Sequence, residues 1–133
     1  MQITRQADYA LRAMVYLARL GPNERAATKK IAEVQRIPPS FLAKIISQLQ
    51  IAGFIKTTRG AHGGVVLLRP AADISLLEVI EAIDGPIALN ACTVTPGSCD
   101  NADNCPLHDI WQETQDDLVS KLRQTKFDKY TLK

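Results

Sequence analysis

Histidine and aromatic residues are scarce in this chain: two His, three Phe, three Tyr and one Trp among 133 residues. Neither histidine stands beside a nucleophile in a recognisable motif and no paired acids mark a pocket, so no catalytic residues are assigned and an enzyme is not expected. Long uncharged apolar runs are missing too. Met1 to Leu20 carries Arg5, Asp8, Arg12 and Arg19, which breaks any approach to the roughly 18 apolar residues of a membrane span. No small-residue cleavage site follows an apolar centre, so a signal peptide is not expected either. The expected location is the cytoplasm, with neither membrane nor small-molecule substrate among the partners. Cysteine is absent before position 92 and after position 105. An odd number of clustered thiols in a reducing compartment reads as metal binding or redox sensing more readily than as a disulfide staple.

The stretch from Ala91 to Trp111 holds Cys92, Cys99 and Cys105 in the spacing Cys-x6-Cys-x5-Cys, with His108 three residues after the last. Between them lie Thr, Pro, Gly, Ser, Asn and Asp, too little apolar surface to offset the ordering entropy of so long a loop. Three thiolates and one further ligand would order it from inside, as an iron-sulfur cluster or a zinc ion requires. Gaps of six and five exceed the knuckles usual for structural zinc, which tilts the choice toward a cluster. Two alternatives stay open: a cluster-free thiol redox switch, and a zinc-stabilised regulator.

Charge is distributed unevenly. Residues 1–70 hold eleven Lys and Arg against three acids, giving +8, while residues 71–133 hold five against eleven, giving −6. A basic half with an acidic half turned away is the electrostatic footprint of nucleic-acid binding.

The apolar pattern supplies the reading elements. Ala7, Ala10, Leu11, Met14, Leu17 and Ala18, behind a Thr4 cap, predict a first helix from about Thr4 to Leu20 that stops at Gly21-Pro22-Asn23. A short helix is expected over Thr28–Val34 with Ile31 and Ala32 inward, then a tight connection through Gln35-Arg36-Ile37. A third opens at Pro38-Pro39 and runs to Gly53, burying Leu42, Ile45, Ile46 and Leu49. Short helix, turn, helix is a DNA-binding arrangement. Its outward residues Ser40, Ala43, Lys44, Ser47 and Gln48 are small or polar and suit a major groove. Ile55–Thr58 and Val65–Arg69 read as two strands joined by Arg59-Gly60-Ala61-His62-Gly63-Gly64, a wing whose tip brings Arg59 and His62 to a minor groove, with glycines that let the backbone approach DNA. These glycines are not a phosphate-binding loop, because no helix and no Lys-Ser/Thr follow them.

Ser75 and Glu78 form a capping box for a core helix ended by Gly85-Pro86. From about Pro106 a long last helix carries Leu107, Ile110, Trp111, Thr114, Leu118, Lys121, Leu122 and Thr125 on one stripe, which predicts packing against a second copy and hence a palindromic operator. The expected class is mainly α with a small β wing: a winged helix-turn-helix DNA-binding domain over 1–86, a cysteine-rich loop over 87–105, and a dimerisation helix with its tail over 106–133.

From Met1 to about Leu122 the chain resembles the bacterial winged-helix transcription regulators that include IscR, NsrR, RirA and the cluster-free CymR. The resemblance rests on Met-Gln-Ile-Thr-Arg-Gln-Ala-Asp-Tyr-Ala-Leu-Arg at the start, Ile31-Ala32-Glu33, the Arg59–Gly64 run, Leu77–Pro86, and the cysteines leading into Cys105-Pro106-Leu107-His108. It implies a homodimer on double-stranded DNA, a repressor whose operator affinity is controlled by a two-iron or four-iron cluster sensing redox state, nitric oxide or iron status. It places three ligands on Cys92, Cys99 and Cys105. The fourth falls on His108 in IscR-like members and on Asp8, from the partner subunit, in NsrR-like members; this sequence offers both. The first cysteine gap is one residue longer than the IscR-like Cys-x5-Cys. On the DNA side the resemblance carries reading onto Ser40, Phe41, Ala43 and Lys44, with minor-groove insertion by Arg59. Ala43 stands where IscR-like members often have glutamate.

Overall fold

Helix formation begins where a side chain can replace missing backbone partners. Thr4 accepts the Ala7 N–H at 3.1 Å and so opens α1 (Arg5–Leu20), while its own hydroxyl donates to Asp84 Oδ1 at 2.5 Å. This ties the start of α1 to the last residue of α4 (Leu76–Asp84). The structure, a computed structural model, describes residues 2–21, 24–61, 63–93 and 105–131. Between those two helices come α2 (Thr28–Gln35), α3 (Pro39–Ile51), and the antiparallel strands β1 (Ile55–Thr58) and β2 (Gly64–Leu67); α5 (His108–Gln124) follows α4. No helix among the described residues is long and apolar enough to cross a membrane.

One main core holds the first half together. Ala7, Ala10, Ala13, Met14, Leu17 and Ala18 of α1 are buried, with Ile31 and Ala32 of α2 and Leu42, Ile45, Ile46 and Leu49 of α3. Burying a side chain of Leu or Ile size contributes about 1.5–3 kcal/mol. The α2–α3 turn is made by Arg36, which adopts the left-handed conformation at φ 55° and closes α2 with its N–H on the Ala32 carbonyl.

The wing is a true hairpin, Ile55 pairing with Leu67 and Thr58 with Gly64. A third short rung comes from the segment before α2: Val65 donates to Ala26 O at 2.8 Å and Ala26 to Val65 O at 3.0 Å. This explains two glycines differently from the expectation of a close DNA approach. A Cβ on Gly63 would lie 2.3 Å from Thr58 O, and one on Gly64, at φ +152°, would lie 2.8 Å from Ala26 O. The backbone of β1 at Gly63, and that of the segment before α2 at Gly64, leaves no room for side chains there.

The expected capping box is complete, with Ser75 Oγ accepting the Glu78 N–H and Glu78 accepting the Ser75 N–H, each at 3.1 Å. Leu77, Ile80 and Ile87 then form a second, smaller cluster with Leu118, Val119 and Leu122 of α5. The single stripe expected on the last helix therefore divides. Leu118 and Leu122 pack within the chain, while Leu107, Ile110 and Trp111 are 53%, 49% and 37% exposed. After α5 the chain turns back. Leu76 donates to Thr125 O at 2.9 Å and Phe127 to Ile74 O at 3.1 Å. Phe127, in a 3-10 turn (Phe127–Tyr130), is fully buried in the main core.

Candidate functional site

The face expected to read DNA is formed by α3 and the wing. Because Leu42, Ile45, Ile46 and Leu49 claim the inner side of α3, Ser40, Phe41, Ala43, Lys44 and Ser47 are left exposed on the other. Gln48 differs from the expected outward set, since it is half-buried and its Oε1 is sheltered with no hydrogen-bond partner. Phe41 stands 46% exposed with its ring 6.2 Å from that of Tyr9, and the Arg12 guanidinium lies 5.6 Å over the Tyr9 ring. The start of α3 thereby meets α1 through a tilted Phe41–Tyr9 pair, with Arg12 over the Tyr9 ring within α1 itself, a contact that periodicity alone does not show.

At the other end of α3, the Thr57 hydroxyl of β1 donates to Gln50 Oε1 at 2.7 Å. Helix and wing are thus hinged together at their exposed edge. Arg59 is exposed at the base of the wing tip, and the tip is closed by the Gly63 N–H on Gly60 O at 3.0 Å. His62 lies outside the described residues.

The second candidate site flanks the cysteine loop. Cys92 sits in a 3-10 turn (Ala91–Thr93) packed against α5, and Cys105 stands one turn before α5, its carbonyl accepting the His108 N–H at 3.2 Å. Both carry free thiols and both are half-buried. Cys99 lies outside the described residues. Among the described residues no three His, Cys, Asp or Glu side chains converge as a metal site. The donors that are described nevertheless suit a soft metal centre. His108 Nδ1 is buried with no hydrogen-bond partner among the described residues, a nitrogen of the kind a metal can take up. Asp8 is engaged elsewhere in the same chain, its carboxylate 2.7 Å from the Arg12 guanidinium, with both side chains 45% exposed.

Gln115 is a residue that the sequence pattern misses. It lies mid-helix among acids, yet it is buried, with its Oε1 receiving the Leu89 N–H at 3.0 Å and the Thr93 hydroxyl. Its one sequence signal is position: seven residues after His108 puts it on the same face of α5, two turns on.

A helix-turn-helix backed by a two-stranded wing, with an exposed reading helix, defines a winged-helix DNA-binding protein. The chain belongs to the Rrf2 family, described as iron-dependent transcriptional regulators, whose profile matches residues 3–131. It is 33% identical over 126 residues to an HTH-type transcriptional regulator of Mycobacterium tuberculosis, covering 94% of this chain and 78% of that one. Among solved structures, CymR, the global cysteine regulator of B. subtilis, superposes with a TM-score of 0.83 at 25% identity, covering 98% of this chain and 96% of that one. IscR of T. potens superposes with a TM-score of 0.74 at 24% identity, covering 97% and 85%, a likeness of fold. The protein is therefore a transcriptional regulator of the DNA-binding kind and not an enzyme.

Proposed function

We propose that the protein is a homodimeric repressor whose operator affinity is set by an iron-sulfur cluster held by Cys92, Cys99, Cys105 and His108. The observation that carries this reading is the sheltered Nδ1 of His108, unpartnered among the described residues, one turn after Cys105 at the start of α5. Asp8 is the weaker fourth ligand because its carboxylate is ion-paired with Arg12 in the same chain. When bound, the cluster would supply a redox-sensitive and nitric-oxide-sensitive anchor inside a loop whose sequence is poor in apolar residues.

The chain's own residues supply the transmission. α5 is fastened at its middle to residues 89–93 by Gln115, and just beyond its end to the winged-helix core by Phe127. A shift at the first of these points thus reaches the second through one helix. In a dimer joined through Leu107, Ile110 and Trp111, it changes the separation of the two reading heads. A coupling of about 1–3 kcal/mol changes operator affinity roughly 5- to 150-fold. In each head Ser40, Phe41, Ala43, Lys44 and Ser47 face the major groove, and Arg59 and His62 the minor groove.

Iron and sulfide analysis of anaerobically purified protein tests the ligand set. Near-equal iron and sulfide in the native chain is expected, with loss in Cys92→Ser, Cys99→Ser, Cys105→Ser and His108→Ala and retention in Asp8→Ala. Loss in Asp8→Ala with retention in His108→Ala would reassign the fourth ligand.

A cluster-free thiol switch is the second reading, favoured by the free, half-buried thiols of Cys92 and Cys105 and by the likeness to CymR. It requires a colourless protein whose DNA affinity responds to peroxide and recovers with a reductant. Zinc in place of iron would instead make the centre structural.

A further inference from the structure

Ser75 and Gln115 are the buried polar side chains among the described residues. Ser75 is explained by its capping box. Gln115 stands at the centre of a solvent-accessible helix, where glutamine ordinarily points to water. Burying an amide is unfavourable unless its polar atoms are paired, and a leucine there would extend the apolar cluster of Leu118, Val119 and Leu122. The amide therefore does something that an apolar residue cannot.

What it does is visible in its partners. Leu89 N–H donates to Gln115 Oε1 at 3.0 Å, which fixes the orientation of the amide, since its nitrogen at that place would face another donor. The Thr93 hydroxyl reaches the same oxygen and also lies 2.7 Å from the Asn90 carbonyl, so its single hydrogen is shared. One oxygen thus holds both ends of the five residues 89–93, and Cys92 lies inside that span. The next turns of α5 toward its start carry His108, seven residues and about 10 Å back along the axis.

We infer that Gln115 is a positioning residue for the cysteine centre, clasping the Cys92 turn onto α5 and thereby setting the place of Cys92 relative to Cys105 and His108. This rests on the reading of Cys92 as part of that centre, but the clasp is made by protein atoms alone and its test needs no metal.

The experiment uses the full-length, reduced, metal-free protein, alkylated with iodoacetamide at one pH, with Cys92 and Cys105 followed separately by peptide mass spectrometry. Gln115→Leu is expected to raise the Cys92 rate about tenfold, as a local opening that has lost two hydrogen bonds should, and to leave Cys105 within about twofold of the native rate. Gln115→Glu keeps the acceptor and restores a near-native Cys92 rate. Equal Cys92 rates in the native and Gln115→Leu proteins would overturn the inference, as would Gln115→Glu behaving like Gln115→Leu. If Gln115→Leu fails to fold, Thr93→Val removes one donor and leaves Gln115 in place. It should raise the Cys92 rate by a smaller factor, and no rise would overturn the clasp. A native protein that takes up no iron but shows this pattern would sink the cluster reading and leave the clasp standing.

Discussion

At the residue scale, Gly63 and His108 show how one atom's surroundings decide a role. Gly63 sits in a wing whose backbone carbonyl at Thr58 leaves no room for a Cβ. Gly63→Ala must push the two strands apart, and overpacking of this kind costs about 1–3 kcal/mol. Urea denaturation should show that loss, and an unchanged midpoint would mean that the tip rearranges freely. His108 carries a buried nitrogen with no partner among the described residues, and leaving such an atom unsatisfied costs about 1–3 kcal/mol. A ligand that fills it recovers that loss. The same accounting explains why Asp8, exposed and ion-paired with Arg12, has no comparable need.

At the element scale the molecule depends on what happens at the two ends of α5. Phe127→Ala, in the turn just after the helix, should destabilise the whole winged-helix unit by about 3–5 kcal/mol, as deletion of a fully buried aromatic does; chemical denaturation measures it. A loss under about 1 kcal/mol would mean that the tail is not part of the core.

The helices of the first half were legible because their apolar residues recur at three and four, and the Ser75–Glu78 box announced α4 in four residues. Phe127 was not legible: a lone aromatic in Lys-Phe-Asp-Lys-Tyr has no periodicity, and its burial is decided by the chain's return to Ile74. The division of α5's stripe was hidden for a related reason. Leu118 and Leu122 fall on the same broad face as Ile110 and Trp111 in a helical projection, and only the position of α4 separates them. Among site residues, the exposed set on α3 could be read from its inward partners. Gln115 could not, since among acidic neighbours it reads as a solvated side chain. Cys99 and His62 lie outside the described residues and rest on sequence alone.

At the scale of the whole molecule, the charge division and the unpartnered face of α5 belong together. The basic half carries the reading helix and wing, and the acidic half carries the exposed Leu107, Ile110 and Trp111. Three large apolar side chains exposed within five residues form the face proposed to join two copies. Ile110→Asp should convert a dimer to a monomer in sedimentation, with the winged-helix fold retained by circular dichroism. A dimer that persists would move the interface to another face. Loss of the dimer should also lower affinity for a two-half-site DNA fragment far more than for a single half-site, because the second head then no longer gains from linkage to the first.

The central claim joins the cysteine centre to the reading heads, and one titration addresses both. Protein purified without oxygen would be bound to an operator fragment selected by the protein itself from random DNA, at fixed salt, and its dissociation constant measured as air or nitric oxide bleaches the visible absorption. The account predicts a brown protein whose operator affinity changes 5- to 150-fold in step with the loss of colour. A brown protein whose operator affinity stays constant through complete bleaching would contradict it.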